Sequence, residues 1–317
     1  MNAGRLDAMR AEVRAGLEAR PRIIPPKFFY DERGSELFEE ITRLPEYYPT
    51  RTERGILQTQ VADWMRSLAP RALIELGAGS GEKTRILLDA MLAATPSGVT
   101  YVPVDVSAEF LRTAAERLSQ DYPRLRVEPL VADLNDDFDV PATLPRPLVV
   151  AFLGSTIGNF GRVDAARLLG RAARAVGEHD RLLLGVDLRK DSALLHAAYN
   201  DRAGVTAEFN RNVLSVLNRQ LGADFDVDAW RHDARYDERN GRIEMYLVSE
   251  RPQRVSIPHV GTFDFDAGES ILTEISRKYD RPEVEATLED AGLKLESWFE
   301  AEPGYAVAAA TAVDGRR

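Results

Sequence analysis

Between residues 71 and 188 the chain alternates short, almost wholly apolar runs with segments of helical periodicity, and few architectures accept that pattern. "ALIEL" (72–76), "TYVPVD" (100–105), "RVEPLVAD" (126–133), "PLVVAFLG" (147–154) and "RLLLGVDL" (181–188) read as strands. Their lack of in–out alternation marks strands covered on both faces, as in a parallel sheet. "EKTRILLDAMLAA", "AEFLRTAAERLSQDY" and "GRVDAARLLGRAARAV" supply amphipathic helices between them. Five strands in βαβ order predict an α/β protein with a Rossmann-like, doubly wound sheet. None of the apolar runs approaches the roughly 20 residues that a membrane-spanning helix needs, so no membrane association is expected.

On either side the pattern changes. Residues 1–53 hold one amphipathic helix and then the proline- and aromatic-rich "PRIIPPKFFYDERGSELFEEITRLPEYYPT". Within it, "LPEYYPTRTERGIL" (44–57) reads as neither a clean helix nor a clean strand. Its two prolines predict a stiff loop that carries Tyr47 and Tyr48. Residues 189–278 hold helical material followed by two extended runs, "RIEMYLVSE" and "QRVSIPH", separated by a short turn. Residues 1–53 and 189–278 are expected to form one smaller, discontinuous α+β lobe. Residues 54–188 and 279–317 are expected to form the main domain, with "RPEVEATLEDAGLKLESWFE" and "YAVAAATAV" returning as a helix and two strands to finish the sheet.

Several function classes are disfavoured by composition. The formal charge is −10 with no basic run, which argues against a nucleic-acid surface. There is no cysteine, hence no thiolate nucleophile, disulfide or cysteine-ligated metal. His179, His196, His232 and His259 are widely separated, and no pair has metal-ligand spacing, so no metal is expected. The N-terminal stretch carries charges throughout and has no apolar signal core, which predicts a cytoplasmic protein. Nothing in the sequence demands a dimer, and a monomer is the expectation.

"ELGAGSGEKT" (75–84) falls between the first strand and the first helix, where glycines admit close approach of a ligand to the backbone. Gly77, Gly79 and Gly81 are spaced G-x-G-x-G, which fails the dinucleotide fingerprint at its third glycine, and Lys83–Thr84 is out of frame for a phosphate-binding P-loop. With Glu75 ahead of the glycines, the string resembles the first motif of class I S-adenosylmethionine-dependent methyltransferases. Asp105, ending the second strand, is placed to accept both hydroxyls of a ribose, and Asp133, ending the third, to accept from an adenine amino group.

Taken with "PPKFFYDERGSELFEEITRLPEYYPTRTE", "FLGSTIGNF", "YNDRAGVTAEFNRNVL", "RIEMYL" and "LTEIS", the chain resembles, over nearly its whole length, the histidine Nα-methyltransferases of ergothioneine biosynthesis. The resemblance implies a class I methyltransferase fold and three successive methylations of the α-amine of free L-histidine. S-adenosylmethionine would be the donor, leaving S-adenosylhomocysteine, and the product would be hercynine. It assigns cofactor contacts to Gly77, Lys83, Asp105, Asp133 and Leu134, with Gly79 in the same loop. It assigns substrate contacts to Tyr47, Asn159, Tyr199, Glu274 and Ser276, with Met245 on the pocket wall. Every matched position carries the residue type that the family motif requires.

The chemistry of those residues agrees with the implied roles. Asn159 and Tyr199 can donate to a carboxylate, while Glu274 and Ser276, two apart on an extended segment, share a side and can clamp an imidazole edge. Tyr30 and Phe38 are candidates, together with Tyr47, for the reacting end. Their rings would face an amine that gains positive charge, or contact a nearby water. The rival expectations are a methyltransferase of the same fold acting on another amino acid or small amine, a cofactor-binding protein without catalysis, and a protein or nucleic-acid methyltransferase.

Overall fold

A computed structural model describes residues 3–79, 81–106, 108–134, 140–141 and 143–313. The chain divides into two compact units, one made of Met1–Tyr48 with Lys190–Arg277, the other of Pro49–Arg189 with Lys278–Arg317. The first changeover falls between Tyr48 and Pro49, a few residues ahead of the position expected from sequence.

The smaller unit opens with α1 (Ala3–Glu18), whose Met9, Val13 and Leu17 recur every fourth residue and are buried. After the short strand β1 (Arg22–Ile23) comes α2 (Glu32–Arg43), capped by the Asp31 carboxylate, which accepts from the Gly34 N–H at 2.7 Å. A Cβ at Gly34 would stand 1.7 Å from the Phe29 carbonyl oxygen, so α2 packs against the preceding turn by having no side chain there.

The chain then enters the larger unit. "PTRTERGI" forms α3 (Pro49–Ile56), with Pro49 in the first turn, where its missing N–H is not needed. The expected loop therefore ends at Tyr48, and the second half of "LPEYYPTRTERGIL" is helical. A π-helical turn leads into α4 (Ala62–Leu68). The βαβ block follows as β2 (Ala72–Leu76), α5 (Thr84–Ala94), β3 (Val99–Asp105), α6 (Ala108–Asp121), β4 (Leu125–Val127), β5 (Leu130–Val131), β6 (Leu148–Phe152), α7 (Arg162–Ala173) and β7 (Arg181–Asp187). "RVEPLVAD" is two short strands and not one: Pro129 interrupts it, and β4 and β5 each pair with β3.

Back in the smaller unit, α8 (Ser192–Tyr199) and α9 (Val205–Leu221) precede β8 (Trp230–Asp237), β9 (Arg242–Ser249), β10 (Gln253–Ile257), β11 (Gly261–Phe265) and β12 (Ser270–Arg277). The two extended runs expected as neighbours belong to different sheets. β9 lies between β8 and β12 in a four-stranded sheet edged by β1, and β10 pairs only with β11. The β8–β9 hairpin turns at Asn240–Gly241, with Gly241 at φ +59°, a local signal that outweighs the short gap between β9 and β10.

The larger unit closes with α10 (Arg281–Asp290), β13 (Leu293–Ala301) and β14 (Tyr305–Ala312). Its sheet has the order β13-β14-β7-β6-β2-β3-β4, parallel from β7 to β4 and antiparallel at β14 and β13. This is the doubly wound arrangement of class I methyltransferases. Successive residues of β2 serve opposite faces: Leu73 packs in one core with α4 and α5, Ile74 in another with α7 and α10. Among the described residues, no helix is long and apolar enough to cross a membrane.

Candidate active site

From β2 the sheet of the larger unit is built outward through β3 to β4. The chain then returns to lay β6 against the other side of β2. This reversal falls at β2, and the carboxyl end of the strand at such a point is the usual ligand position in these sheets. Gly77, Gly79 and Gly81 line its first loop at φ +67°, +51° and +70°, a region that other residues enter only under strain. Among the described residues, a Cβ on Gly77 would meet only Leu134 Cδ1 at 3.9 Å, and one on Gly79 only the Gly77 carbonyl at 4.0 Å. The glycines thus answer to backbone conformation and not to crowding by the described residues.

The Gly77 and Ala78 N–H groups donate to the Val104 carbonyl at 2.8 and 3.3 Å, which fastens the loop beside Asp105 at the end of β3. Beneath it, the buried Glu75 carboxylate accepts from Thr84 Oγ1 at 2.5 Å and from the Tyr101 hydroxyl at 2.6 Å. Burial pushes the Glu75 carboxyl up, against the pull of those two hydrogen bonds, and burial also raises the Tyr101 hydroxyl well above its ordinary value. Glu75 ties β2 to β3 and to the start of α5, and so sets the shape of the loop. A left-handed glycine cradle, a carboxylate at the next strand end and the apolar Leu134 suit a nucleoside: backbone against its polar chain, acid against its sugar, apolar wall against its base.

Lys83, at the N-terminal end of α5, forms an ion pair with Glu53, a residue that the sequence reading did not single out. Glu53 is fully buried in α3. Its Oε1 accepts from the Gly154 N–H at 2.8 Å and from the Tyr305 hydroxyl at 2.7 Å. One carboxylate thus connects the loop after β2, the loop after β6 and the start of β14. Gly185 on β7 makes room for it, since a Cβ there would lie 2.1 Å from Glu53 Oε1. After β6, Gly154 and Ser155 are both left-handed, at φ +75° and +56°, and Ser155 Oγ accepts from the Asp187 N–H at 2.9 Å. This turn leads to the half-buried Asn159.

The smaller unit collects most of the expected substrate residues. Tyr30 meets Phe38 edge-on at 5.9 Å between ring centres, Phe38 meets Tyr47 at 6.4 Å, and Tyr47 meets Tyr199 at 6.4 Å. Tyr47, Tyr199, Met245 and Ser276 are buried, Glu274 is partly buried, and Tyr30 is exposed. Tyr199 Oη lies 2.8 Å from Ser276 Oγ. Residues whose chemistry suggested opposite ends of an amino acid are therefore hydrogen-bonded to each other. Tyr48 turns elsewhere, with Lys190 Nζ 4.0 Å above its ring centre.

Residues 9–312 match the model of a family described as histidine-specific methyltransferase, SAM-dependent. The chain belongs to this family. It is 46% identical over 294 residues to the histidine N-alpha-methyltransferase of Mycolicibacterium smegmatis, covering 92% of this chain and 91% of that one. It is also 46% identical over 304 residues to the enzyme of the same name from Mycobacterium tuberculosis, covering 96% and 94%. A crystal structure of a DUF574 family protein from Streptomyces avermitilis superposes with a TM-score of 0.51 over 91% of this chain and 97% of that one. At 14% identity, that likeness speaks for the fold alone.

A histidine to which the sequence assigned no role stands behind Tyr199. His232 Nε2 lies 2.9 Å from the Tyr199 carbonyl, which can only accept, and His232 Nδ1 lies 2.8 Å from the Asn210 amide nitrogen, which can only donate. The imidazole is held neutral, with its proton on Nε2. Burial lowers its pKa, and the bond to the Tyr199 carbonyl and nearby Asp233 oppose that shift only in part. A native pKa below the unfolded value of about 6.5 contributes stability above that pH, and the contribution is lost as the pH falls through the depressed native value. Urea unfolding is expected to show this loss on acidification, and His232→Gln to show a smaller one. Parallel pH dependences in the two proteins would refute the assignment.

Proposed function

We propose that this chain methylates the α-amine of free L-histidine three times, forming hercynine as the first step of ergothioneine biosynthesis, and does so as a cytoplasmic enzyme without a metal. The observation that carries the reading is the hydrogen-bonded Tyr199–Ser276 pair beside Tyr47, in a chain 46% identical to two histidine N-alpha-methyltransferases. In this reading the larger unit binds the cofactor and the smaller unit selects the amino acid.

S-adenosylmethionine, when bound, supplies the electrophilic methyl group. Gly77, Gly79 and Lys83 would hold its amino-acid portion, Asp105 its ribose hydroxyls, and Asp133 with Leu134 its adenine. Asn159, in the larger unit, carries an amide that can donate to a carboxylate. Glu274 would accept the N–H of one ring nitrogen, and Ser276, whose Oγ accepts from Tyr199, would face the other. Such a clamp selects a single imidazole tautomer, and Met245 shapes the wall beside it.

An α-amine with a pKa of about 7.7–8.0 attacks only when neutral, so the site's work is to hold that form in line. Tyr47 contributes a hydroxyl to this positioning. As methyl groups accumulate, the nitrogen becomes a fixed cation, which the Tyr30 and Phe38 rings favour by about 0.5–2 kcal/mol. Tyr47→Phe is expected to raise the histidine KM or lower kcat by roughly tenfold, the worth of one buried hydrogen bond. Unchanged steady-state constants would remove Tyr47 from the site.

The deciding experiment incubates the purified chain with S-adenosylmethionine and an equimolar mixture of the twenty amino acids, followed by mass spectrometry. A gain of three methyl groups on histidine alone is expected. Methylation of a different amino acid would leave the family assignment in place and overturn the substrate.

A further inference from the structure

The strand that carries Glu274 and Ser276 changes faces part-way along. β12 pairs antiparallel with β9, and residues directly opposite in such a pair project to the same side. Ile271 lies opposite Leu247 and Leu272 opposite Tyr246, but the next pair is Glu274 with Met245, which leaves Thr273 as an inserted residue, a β-bulge. Beyond it Ser276 lies opposite Ile243. Leu247, Met245 and Ile243 form the buried face of β9, whereas Tyr246 and Glu244 lie on the other. Strict alternation from Leu272 would send Glu274 and Ser276 to the Tyr246 face. There Glu244 already accepts from the Tyr246 hydroxyl at 2.5 Å and pairs with Arg242. The one extra residue brings both candidate imidazole contacts onto the face of Met245, where Ser276 meets Tyr199.

The bulge is held in place from α9. Thr273 Oγ1 lies 2.6 Å from Asn210 Oδ1 and 3.0 Å from the Met245 carbonyl, with both side chains buried. The Asn210 amide nitrogen donates to the Tyr246 carbonyl at 3.0 Å and to His232 Nδ1 at 2.8 Å. His232 in turn holds the Tyr199 carbonyl, and the Tyr199 hydroxyl closes the ring on Ser276. Both hydrogens of the Asn210 amide and its oxygen are engaged.

We propose that Thr273 and Asn210 are positioning residues that lock the register of β12 and thereby select an imidazole side chain. This inference rests on the reading that the Met245 face receives histidine. A full-length chain carrying Thr273→Val keeps the branched shape and loses the hydroxyl. It is expected to raise the histidine KM about tenfold or more while the KM for S-adenosylmethionine stays within about twofold. Thr273→Ser, which keeps the hydroxyl, should restore the histidine KM. Should Thr273→Val fail to fold, Thr273→Ala carries the same expectation with no second methyl to accommodate.

An unchanged histidine KM in a folded hydroxyl-free variant overturns the proposal. So does an equal rise in both KM values that Thr273→Ser does not reverse, because that pattern marks general loosening. If the unsubstituted chain does not methylate histidine, the substrate reading itself fails, and that outcome is read without any variant.

Discussion

Glu53→Ala is expected to cost about 3–5 kcal/mol of unfolding free energy, the usual penalty for removing one partner of a buried ion pair. The expectation follows from three contacts on one fully buried carboxylate: the Lys83 ammonium, the Gly154 N–H and the Tyr305 hydroxyl. Alanine removes the carboxylate that the Gly154 N–H and the buried Tyr305 hydroxyl donate to, and takes the counter-charge from the partly buried lysine. Glu53→Gln separates the contributions, because an amide oxygen still accepts from Gly154 and Tyr305 but no longer neutralises Lys83. Its loss should fall between those of the wild type and Glu53→Ala. Gly185→Ala attacks the same point from the opposite side, since its methyl would overlap Glu53 Oε1. Urea titration reads all three. A Glu53→Ala chain within about 1 kcal/mol of wild type, the worth of a single ordinary hydrogen bond, would show that the network contributes little.

The second large effect concerns substrate selection. Glu274→Ala is expected to raise the histidine KM by about 10- to 150-fold, because a hydrogen bond to a charged group is worth roughly 1.5–3 kcal/mol. Ser276→Ala should cost less, about tenfold at most, since its contact is between neutral groups. The double variant tests coupling. If both side chains clamp one imidazole, the two effects should combine with a clear departure from additivity, because losing either contact loosens the other. Calorimetry of histidine binding in the presence of S-adenosylhomocysteine gives the same comparison without turnover. Histidine affinity unchanged in Glu274→Ala would exclude Glu274 from the pocket and, with it, the tautomer selection proposed above.

These two predictions stand at different distances from what the sequence shows. Glu274 and Ser276 are visible as a polar pair at strand spacing, and the family string "LTEIS" singles them out. Glu53 lies in the middle of the amphipathic helix α3, a position that sequence periodicity assigns as readily to solvent as to a core. Only its contacts show that it faces inward, because the residues that surround it come from the loop after β2, the loop after β6, β7 and β14.

The same division runs through the rest of the molecule. Local sequence determines the βαβ order, the glycine cradle and the acid at the end of β3, because apolar runs, positive-φ glycines and strand-end carboxylates are each specified within a few neighbouring residues. The Asn240–Gly241 turn is equally local and carries the β8–β9 hairpin. The inserted residue in β12 is not local. "SILTEISR" shows no break in pattern, and its bulge exists because Thr273 meets Asn210 from a helix sixty-three positions earlier in the chain. A side-chain period of two makes one such insertion reverse every residue after it. Sequence therefore names the candidate substrate residues, and the tertiary contacts of α9 decide which way they face.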